Sequence, residues 1–347
     1  MKKYRKIVPL LMALTVACTS LPITAKADNS KVVTLGANLS KKQKEDMYKY
    51  FGTNADKVET IEVTNADERK YMEGIASEAQ IGKRTYSCSY VEPTSEGGIQ
   101  VKTANLTFVT SSMIASTLMT SGVENCNVVA ASPIEVSGTG ALTGIMMAYE
   151  TASGEKLDEE QKETATEELV TTGELADSIG TQEAADLMND VKQEVIKEKL
   201  TDTKEIEETV NDTADSMNIT LTDEQMAKIV ALMEKIAQYD YDVNSLKDTL
   251  NNLEGKAEGW WDKLTNFFKG LTGDKDNNGG IINNTKDDIL GKDVVTDSTL
   301  DEIKEKVKNA DAEGWWDKLK NFFKGLTGDS DSNDSADTKD SSDEAAE

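Results

Sequence analysis

The chain reads as an α+β protein: a mixed α/β N-terminal domain with a β-hairpin, then an α-helical region, then two amphipathic aromatic helices. Three observations predict this. Residues 28–150 alternate β-rich runs with capped helical patterns. Residues 151–255 carry apolar side chains at helical spacing. Residues 257–271 return almost unchanged as residues 312–326, and each copy places its large apolar groups on one helical face.

The first 27 residues have the pattern of a secretory signal peptide. Lys2, Lys3, Arg5 and Lys6 precede an apolar run over residues 7–17, and Ala25-Lys26-Ala27 supplies the small-x-small cleavage pattern. The run is too short to span a bilayer. Lipoprotein processing at Cys18 is the rival reading, weakened by Thr15 where that signal favours leucine. The expected product is secreted or held at the cell surface.

In residues 28–150, Val32 to Leu35 form a β-rich run closed by Gly36. Ser40 caps a helix carrying Met47, Tyr48 and Phe51, which Gly52 ends. Residues 58–63 read as a strand, and Asn65 opens a second helix with Tyr71, Met72 and Ile75. Residues 85–91 and 101–109 read as two strands. The turn-rich stretch from Glu92 to Gly98 between them predicts a hairpin. Ser112 caps a helix through Met119 that Gly122 stops, and Val128 to Ala130 reads as a buried strand. About 120 residues suffice for an independent core.

Residues 151–255 are acidic and helical. Leu169, Leu175, Leu187, Val191, Val195 and Leu200 give sparse apolar contact, with Gly173 and Gly180 as breaks. Thr222-x-x-Gln225 is a capping box opening an apolar face of Met226, Ile229, Val230, Met233 and Ile236. A further helix from Ser245 carries Leu246, Leu250 and Leu253. The Asp/Glu runs at 158–168 and 205–208 read as solvated helix faces.

Residues 256–328 contain the duplicated unit. At about 100° per residue, Trp260, Trp261, Leu264, Phe267, Phe268 and Leu271 fall within roughly 120°. Trp315, Trp316, Leu319, Phe322, Phe323 and Leu326 do the same in the second copy. Tryptophan and phenylalanine on one face with lysine at its edge is the composition of an interfacial membrane helix. Such a stripe also suits packing on the main body, self-association into a homo-oligomer, or docking on a protein partner. Residues 274–293, between the copies, are rich in Asn, Asp and Gly and read as a flexible linker. Residues 329–347 form an acidic tail expected to be disordered.

Composition excludes several chemistries. The net charge is −26, and removing the basic leader makes the mature chain more acidic still, which argues against nucleic acid as a partner. Histidine is absent, so Ser-His-Asp and Cys-His catalysis and His-ligated zinc are excluded. Carboxylate-pair chemistry, as in an envelope-acting hydrolase, is the main catalytic class left open. No cofactor is expected. Cys88 and Cys126 are the cysteines of the mature chain; export permits a disulfide, and two buried thiols are the alternative.

Two further motifs are candidates. Asp274, Asp276 and Asn278 with Gly279 match the opening of an EF-hand-type calcium loop, but Thr285 stands at the twelfth position where glutamate is needed. After the second copy, Asp329, Asp331 and Asn333 repeat the spacing without the glycine. Gly138, Gly140 and Gly144 precede a helical run and suit an anion or ligand loop built on backbone N–H groups, or simply a tight turn that needs glycine.

Residues 31 to about 253 resemble the YpuA-type secreted proteins of Gram-positive bacteria, the domain of unknown function 1002. Val33-Thr34-Leu35-Gly36-Ala37 with Leu39, Tyr50-Phe51-Gly52, Ile61-Glu62-Val63-Thr64-Asn65 and Ile81-Gly82-Lys83-Arg84-Thr85 carry the likeness. Cys88-Ser89-Tyr90-Val91-Glu92-Pro93, Thr103-Ala104-Asn105-Leu106-Thr107, Glu124-Asn125-Cys126-Asn127-Val128 and Ser137-Gly138-Thr139-Gly140-Ala141-Leu142-Thr143-Gly144 continue it in order. The resemblance implies export and brings no catalytic residues with it.

Overall fold

The computed structural model describes residues 31–242, 244–246, 248–249, 280–291 and 294–297. The fold is α+β. A five-stranded mixed sheet has the order β2-β1-β3-β5-β4. Its strands are β1 (Val32–Gly36), β2 (Glu59–Val63), β3 (Cys88–Pro93), β4 (Ile99–Leu106) and β5 (Cys126–Val136).

Side-chain alternation sorts these strands into two faces. Val32, Val91, Val128 and Ala130 point to one core with α4 (Ser111–Thr120) and α5 (Thr139–Ser153). Val33, Leu35, Cys88, Tyr90, Val129 and Ala131 point to the other, under α1 (Lys41–Tyr50). The remaining helices of the first domain are α2 (Asn65–Met72) and the single turn α3 (Glu78–Ile81). A third cluster holds together α6 (Glu159–Ile179), α7 (Thr181–Glu198), α8 (Thr203–Ser216) and α9 (Asp223–Ile236). The Thr222 capping box opens α9 as its sequence indicates, with Thr222 Oγ1 accepting from the Gln225 N–H.

The structure corrects four local readings. First, β3 and β4 are not hairpin partners, because β5 lies between them, antiparallel to β3 and parallel to β4. Asn125 and Cys126 hold the two arms of the turn apart. Thr94 N–H donates to the Asn125 carbonyl, Gly98 N–H to Asn125 Oδ1 and Cys126 N–H to the Gly98 carbonyl. Second, Gly173 does not break α6. It lies mid-helix because a Cβ there would sit 1.9 Å from the ring of buried Phe108. Third, the acidic run at 158–168 is not uniformly solvated, since Glu168 and Lys162 are buried. Fourth, the linker at 274–293 is not free over its described part.

Residues 280–291 form a strap across the α1 face of the sheet, and residues 295–297 continue it onto the β4–α4 edge. Ile281 and Ile282 complete the cluster of Met47, Tyr50 and Phe51. Ile281 N–H donates to Glu92 Oε2 (3.0 Å), Lys286 N–H to the Tyr50 carbonyl (2.8 Å), and Lys102 Nζ to Thr285 and Asp287. Gly52 is needed under the strap: at φ +67, a Cβ would lie 2.5 Å from the Asn284 carbonyl oxygen. Just before the first aromatic copy, Thr249 Oγ1 accepts the Ile99 N–H at the start of β4.

Candidate functional site

The glycine loop singled out by sequence begins α5, and the structure shows what it is built around. Gly138 is the N-cap at φ +90, a left-handed turn. Thr139 Oγ1 donates to the Gln80 carbonyl (3.0 Å). Helix α2 opens with a capping box, Thr64 Oγ1 accepting the Asp67 N–H and Asp67 Oδ2 accepting the Thr64 N–H. Its next turns bury Glu68, Tyr71 and Met72, three and four residues apart, against α5. Glu68 is 3% exposed. A Cβ on Gly140 would lie 2.0 Å from Glu68 Oε1, and one on Gly144 would lie 2.8 Å from Thr34 Oγ1.

A carboxyl group of the chain itself, that of Glu68, therefore lies against the first turn of α5. Gly138 serves a left-handed cap and Gly140 and Gly144 two close approaches, which gives a packing reason for glycine at all three positions. Burial pushes the Glu68 carboxyl up to about 7, against the downward pull of the Thr85 hydroxyl and the Asn65 amide. Chemically, Glu68 is a group that takes up or releases a proton near neutrality inside a packed junction.

A second buried polar cluster ties α4, α6 and α7. Lys192 Nζ lies 2.6 Å from Glu168 Oε1, and both side chains are almost fully enclosed. The ammonium also donates to Ser116 Oγ (2.6 Å), the Ser116 carbonyl (2.9 Å) and Thr120 Oγ1 (3.1 Å). Ser116 and Thr120 hydroxyls both donate to Glu168. Burial pulls the Lys192 pKa below the ordinary lysine value against the upward pull of Glu168. A serine beside a lysine is a nucleophile–base pairing in form. Here Ser116 is 4% exposed and Lys192 0%, so the cluster is a tie between helices, with no approach for a substrate.

Lys162 belongs to a third cluster, joining α2, α5 and α6. Its Nζ is 3.0 Å from Glu150, 2.8 Å from Glu159 and 3.3 Å from the Tyr71 hydroxyl. Burial works to lower its pKa, and Glu159, Glu150 and Tyr71 hold it above the ordinary value.

Cys88 and Cys126 are buried free thiols. Cys88 pairs with Ala131 on β5, five residues beyond Cys126. An odd step puts the two on opposite faces, about 17 Å apart along the strand, whereas a disulfide needs Cα atoms within about 7 Å. The expected bridge is therefore replaced by the alternative of two buried thiols, and burial pushes the Cys88 thiol up to about 12. Trp260, Trp261, Leu264, Phe267, Phe268, Leu271 and their counterparts Trp315, Trp316, Leu319, Phe322, Phe323 and Leu326 lie outside the described residues. So do Asp274, Asp276 and Asn278 and residues 1–27 and 329–347. Among the described residues no group of three His, Cys, Asp or Glu side chains is placed to hold a metal ion.

Sequence reading missed Glu68, Glu168 and Lys192, although the last two left a signal. Lys192 falls on the stripe of Met188, Val191 and Val195, and Glu168 beside Ala165, Leu169 and Thr172. A charged residue inside an apolar stripe must find a buried partner or distort the helix face.

Comparison with known proteins agrees with the sequence likeness. The profile of a family described as Protein of unknown function (DUF1002) matches residues 35–253. An uncharacterized protein, YpuA of Bacillus subtilis (strain 168), is 38% identical over 264 residues, covering 75% of this chain and 88% of that protein. No solved structure matches the chain. The sheet domain and the helices packed on it thus coincide with the matched region, and the chain belongs to the DUF1002 family.

Proposed function

We propose that this is an exported, non-enzymatic protein that binds a membrane or cell-envelope surface peripherally through its two aromatic segments. Residues 31–249 serve as the body that carries them, with the N-terminal mixed domain, residues 28–150, as a binding module of unknown ligand. The observation that carries this reading is the duplication. Trp260, Trp261, Leu264, Phe267, Phe268 and Leu271 recur, in order and spacing, as Trp315, Trp316, Leu319, Phe322, Phe323 and Leu326. Two helices in one core meet different neighbours and diverge, whereas two near-identical faces suit one uniform surface.

Burying the six apolar side chains of one copy contributes roughly 9–18 kcal/mol gross. Ordering and immobilisation offset most of that. Two copies on one chain then bind together at a raised effective concentration. The anchoring of the chain also supports the reading. Thr249 is held at Ile99, and Gly280 packs against Glu92 and Asn127, neighbouring points on one end of the sheet. The first copy lies in an interval tied at both ends to the body. Among the described residues no helix is long and apolar enough to cross a membrane. The acidic surplus opposes attraction to anionic lipid, so apolar insertion must supply the affinity.

Co-sedimentation with phosphatidylcholine vesicles, with and without phosphatidylglycerol, tests this on the mature full chain. The expected result is that the wild type sediments with both and that a Trp260→Ser, Trp261→Ser, Trp315→Ser, Trp316→Ser variant stays in the supernatant. Equal sedimentation of the two proteins, or none, overturns it. If light scattering instead finds an oligomer that the same variant disperses, the aromatic faces serve self-association.

A further inference from the structure

The edge strand β4 carries a backbone conformation that ladder pairing does not require. Asn105 sits at φ +59 at an irregularity in the β4–β5 register between Ala104 and Leu106. Left-handed conformation is uncommon for a residue other than glycine, and such positions cluster where the chain does something specific. Here the conformation presents Asn105 to the strap. Its N–H donates to the Val295 carbonyl (2.7 Å), and its Oδ1 accepts the Val295 N–H (3.1 Å). Its Nδ2 is fixed by the Ser132 carbonyl (2.9 Å). One side chain thus stands in for a missing strand carbonyl, and both main-chain groups of Val295 are satisfied.

Two residues further on, the strap delivers a carboxylate to a prepared seat. Asp297 Oδ2 accepts the Ser111 N–H (2.9 Å) and the Ser111 hydroxyl, and its Oδ1 accepts Thr103 Oγ1 (2.6 Å). Ser111 is the first residue of α4, so the carboxylate also meets the positive end of that helix. The side chain of Val295 is buried. Every groove residue in these contacts (Thr103, Asn105, Ser111, Ser132) lies within the family-matched region 35–253, while the strap lies beyond it. The receptor and its occupant therefore come from separate parts of the chain.

We propose that the β4–α4 edge is a peptide-binding groove selective for a Val-x-Asp sequence, and that the strap is its resident occupant in cis. The partner it fits is an acidic peptide presenting an aliphatic residue and, two positions later, a carboxylate. Asn105 reads the main chain, the aliphatic side chain is buried, and Thr103 with Ser111 takes the acid.

The test uses the mature full chain with its strap released by Val295→Asp and Asp297→Lys, titrated with a fluorescein-labelled peptide of residues 280–297. Saturable binding is expected, at least ten-fold tighter than to the wild-type chain, whose groove is filled. Adding Asn105→Ala to the released protein, or changing the aspartate at position 297 of the peptide to asparagine, is expected to weaken binding at least ten-fold. Absence of saturable binding, or affinity unchanged by both substitutions, overturns the proposal. If the released protein loses its cooperative unfolding transition, the titration is repeated on Asp297→Ala alone, where the same gain in affinity supports the proposal and its absence overturns it. The outcome is independent of vesicle binding.

Discussion

Replacing Glu68 by glutamine changes how stability depends on pH while keeping the shape of the side chain. In the folded protein burial raises this carboxyl from 4.5 to about 7. Between those values the native state keeps a proton that the unfolded chain has released, so stability falls as pH rises from 4.5 through 7 and levels off above. A shift of that size corresponds to about 3 kcal/mol. The positive end of α5 beside Glu68 works in the opposite direction by about 0.3–1 kcal/mol, so desolvation wins and about 2–3 kcal/mol remains. Glu68→Gln removes this contribution. At pH 8 the variant is expected to be more stable than the wild type by about 2 kcal/mol, a rise in Tm of roughly 4–8 °C for a body of this size. At pH 4.5 the two are expected to melt together. The assay is thermal denaturation of both proteins at half-unit steps from pH 4.5 to 9, read as the difference between them so that all other titrating groups cancel. Parallel curves, or a gap that opens toward acid, would refute the account of Glu68 as a desolvated carboxyl.

Gly140→Ala is expected to destabilise although alanine favours a helix by about 1 kcal/mol, because its Cβ would meet Glu68 Oε1 at 2.0 Å. Combining it with Glu68→Ala should recover part of the loss, with a coupling of about 0.5–3 kcal/mol in a double-mutant cycle measured by urea unfolding. Lys192→Met leaves Glu168 buried without its cation and is expected to cost about 3–5 kcal/mol, whereas adding Glu168→Leu should restore most of it; equal losses would show that the pair is not coupled. Cys88 and Cys126 are expected to react with a thiol reagent at pH 8 only after unfolding, and reductant should leave Tm unchanged. Rapid labelling of the native protein would contradict their burial.

Local structure is legible wherever the determining contacts lie within one turn or one strand. The capping boxes at Ser40 and Thr222 are examples, because the cap and its partner are three residues apart. The boundary at Gly180 is readable for the same reason, since its φ of +109 suits glycine. Strand pairing is not. Glu92 to Gly98 has the composition of a hairpin turn, but composition does not state whether a third strand will enter between its arms, and Asn125 does so from 27 residues downstream of Gly98. The strap escapes a sequence reading because its aliphatic residues are few and set among Asn and Asp. Ile281 and Ile282 become core only because they pack into one cluster with side chains of α1, β3 and β5.

Periodicity, capping and repetition are properties of neighbours along the chain. From them alone follow the fold class, the order of most elements and the existence of two matching aromatic sequence repeats, and the ordered motifs of residues 31–253 identify the family. It took the packed molecule to show that Glu68 supplies the carboxyl at the start of α5, that Cys88 and Cys126 face opposite sides of the sheet, and that Asn105 and Ser111 grip residues almost two hundred positions away. Desolvation, register and long-range hydrogen bonding depend on which faces meet, and no stretch of neighbours encodes that. The glycines at 138, 140 and 144 illustrate the division: the sequence marked a place where backbone must come close to something, and the fold identified that something as the protein's own side chains.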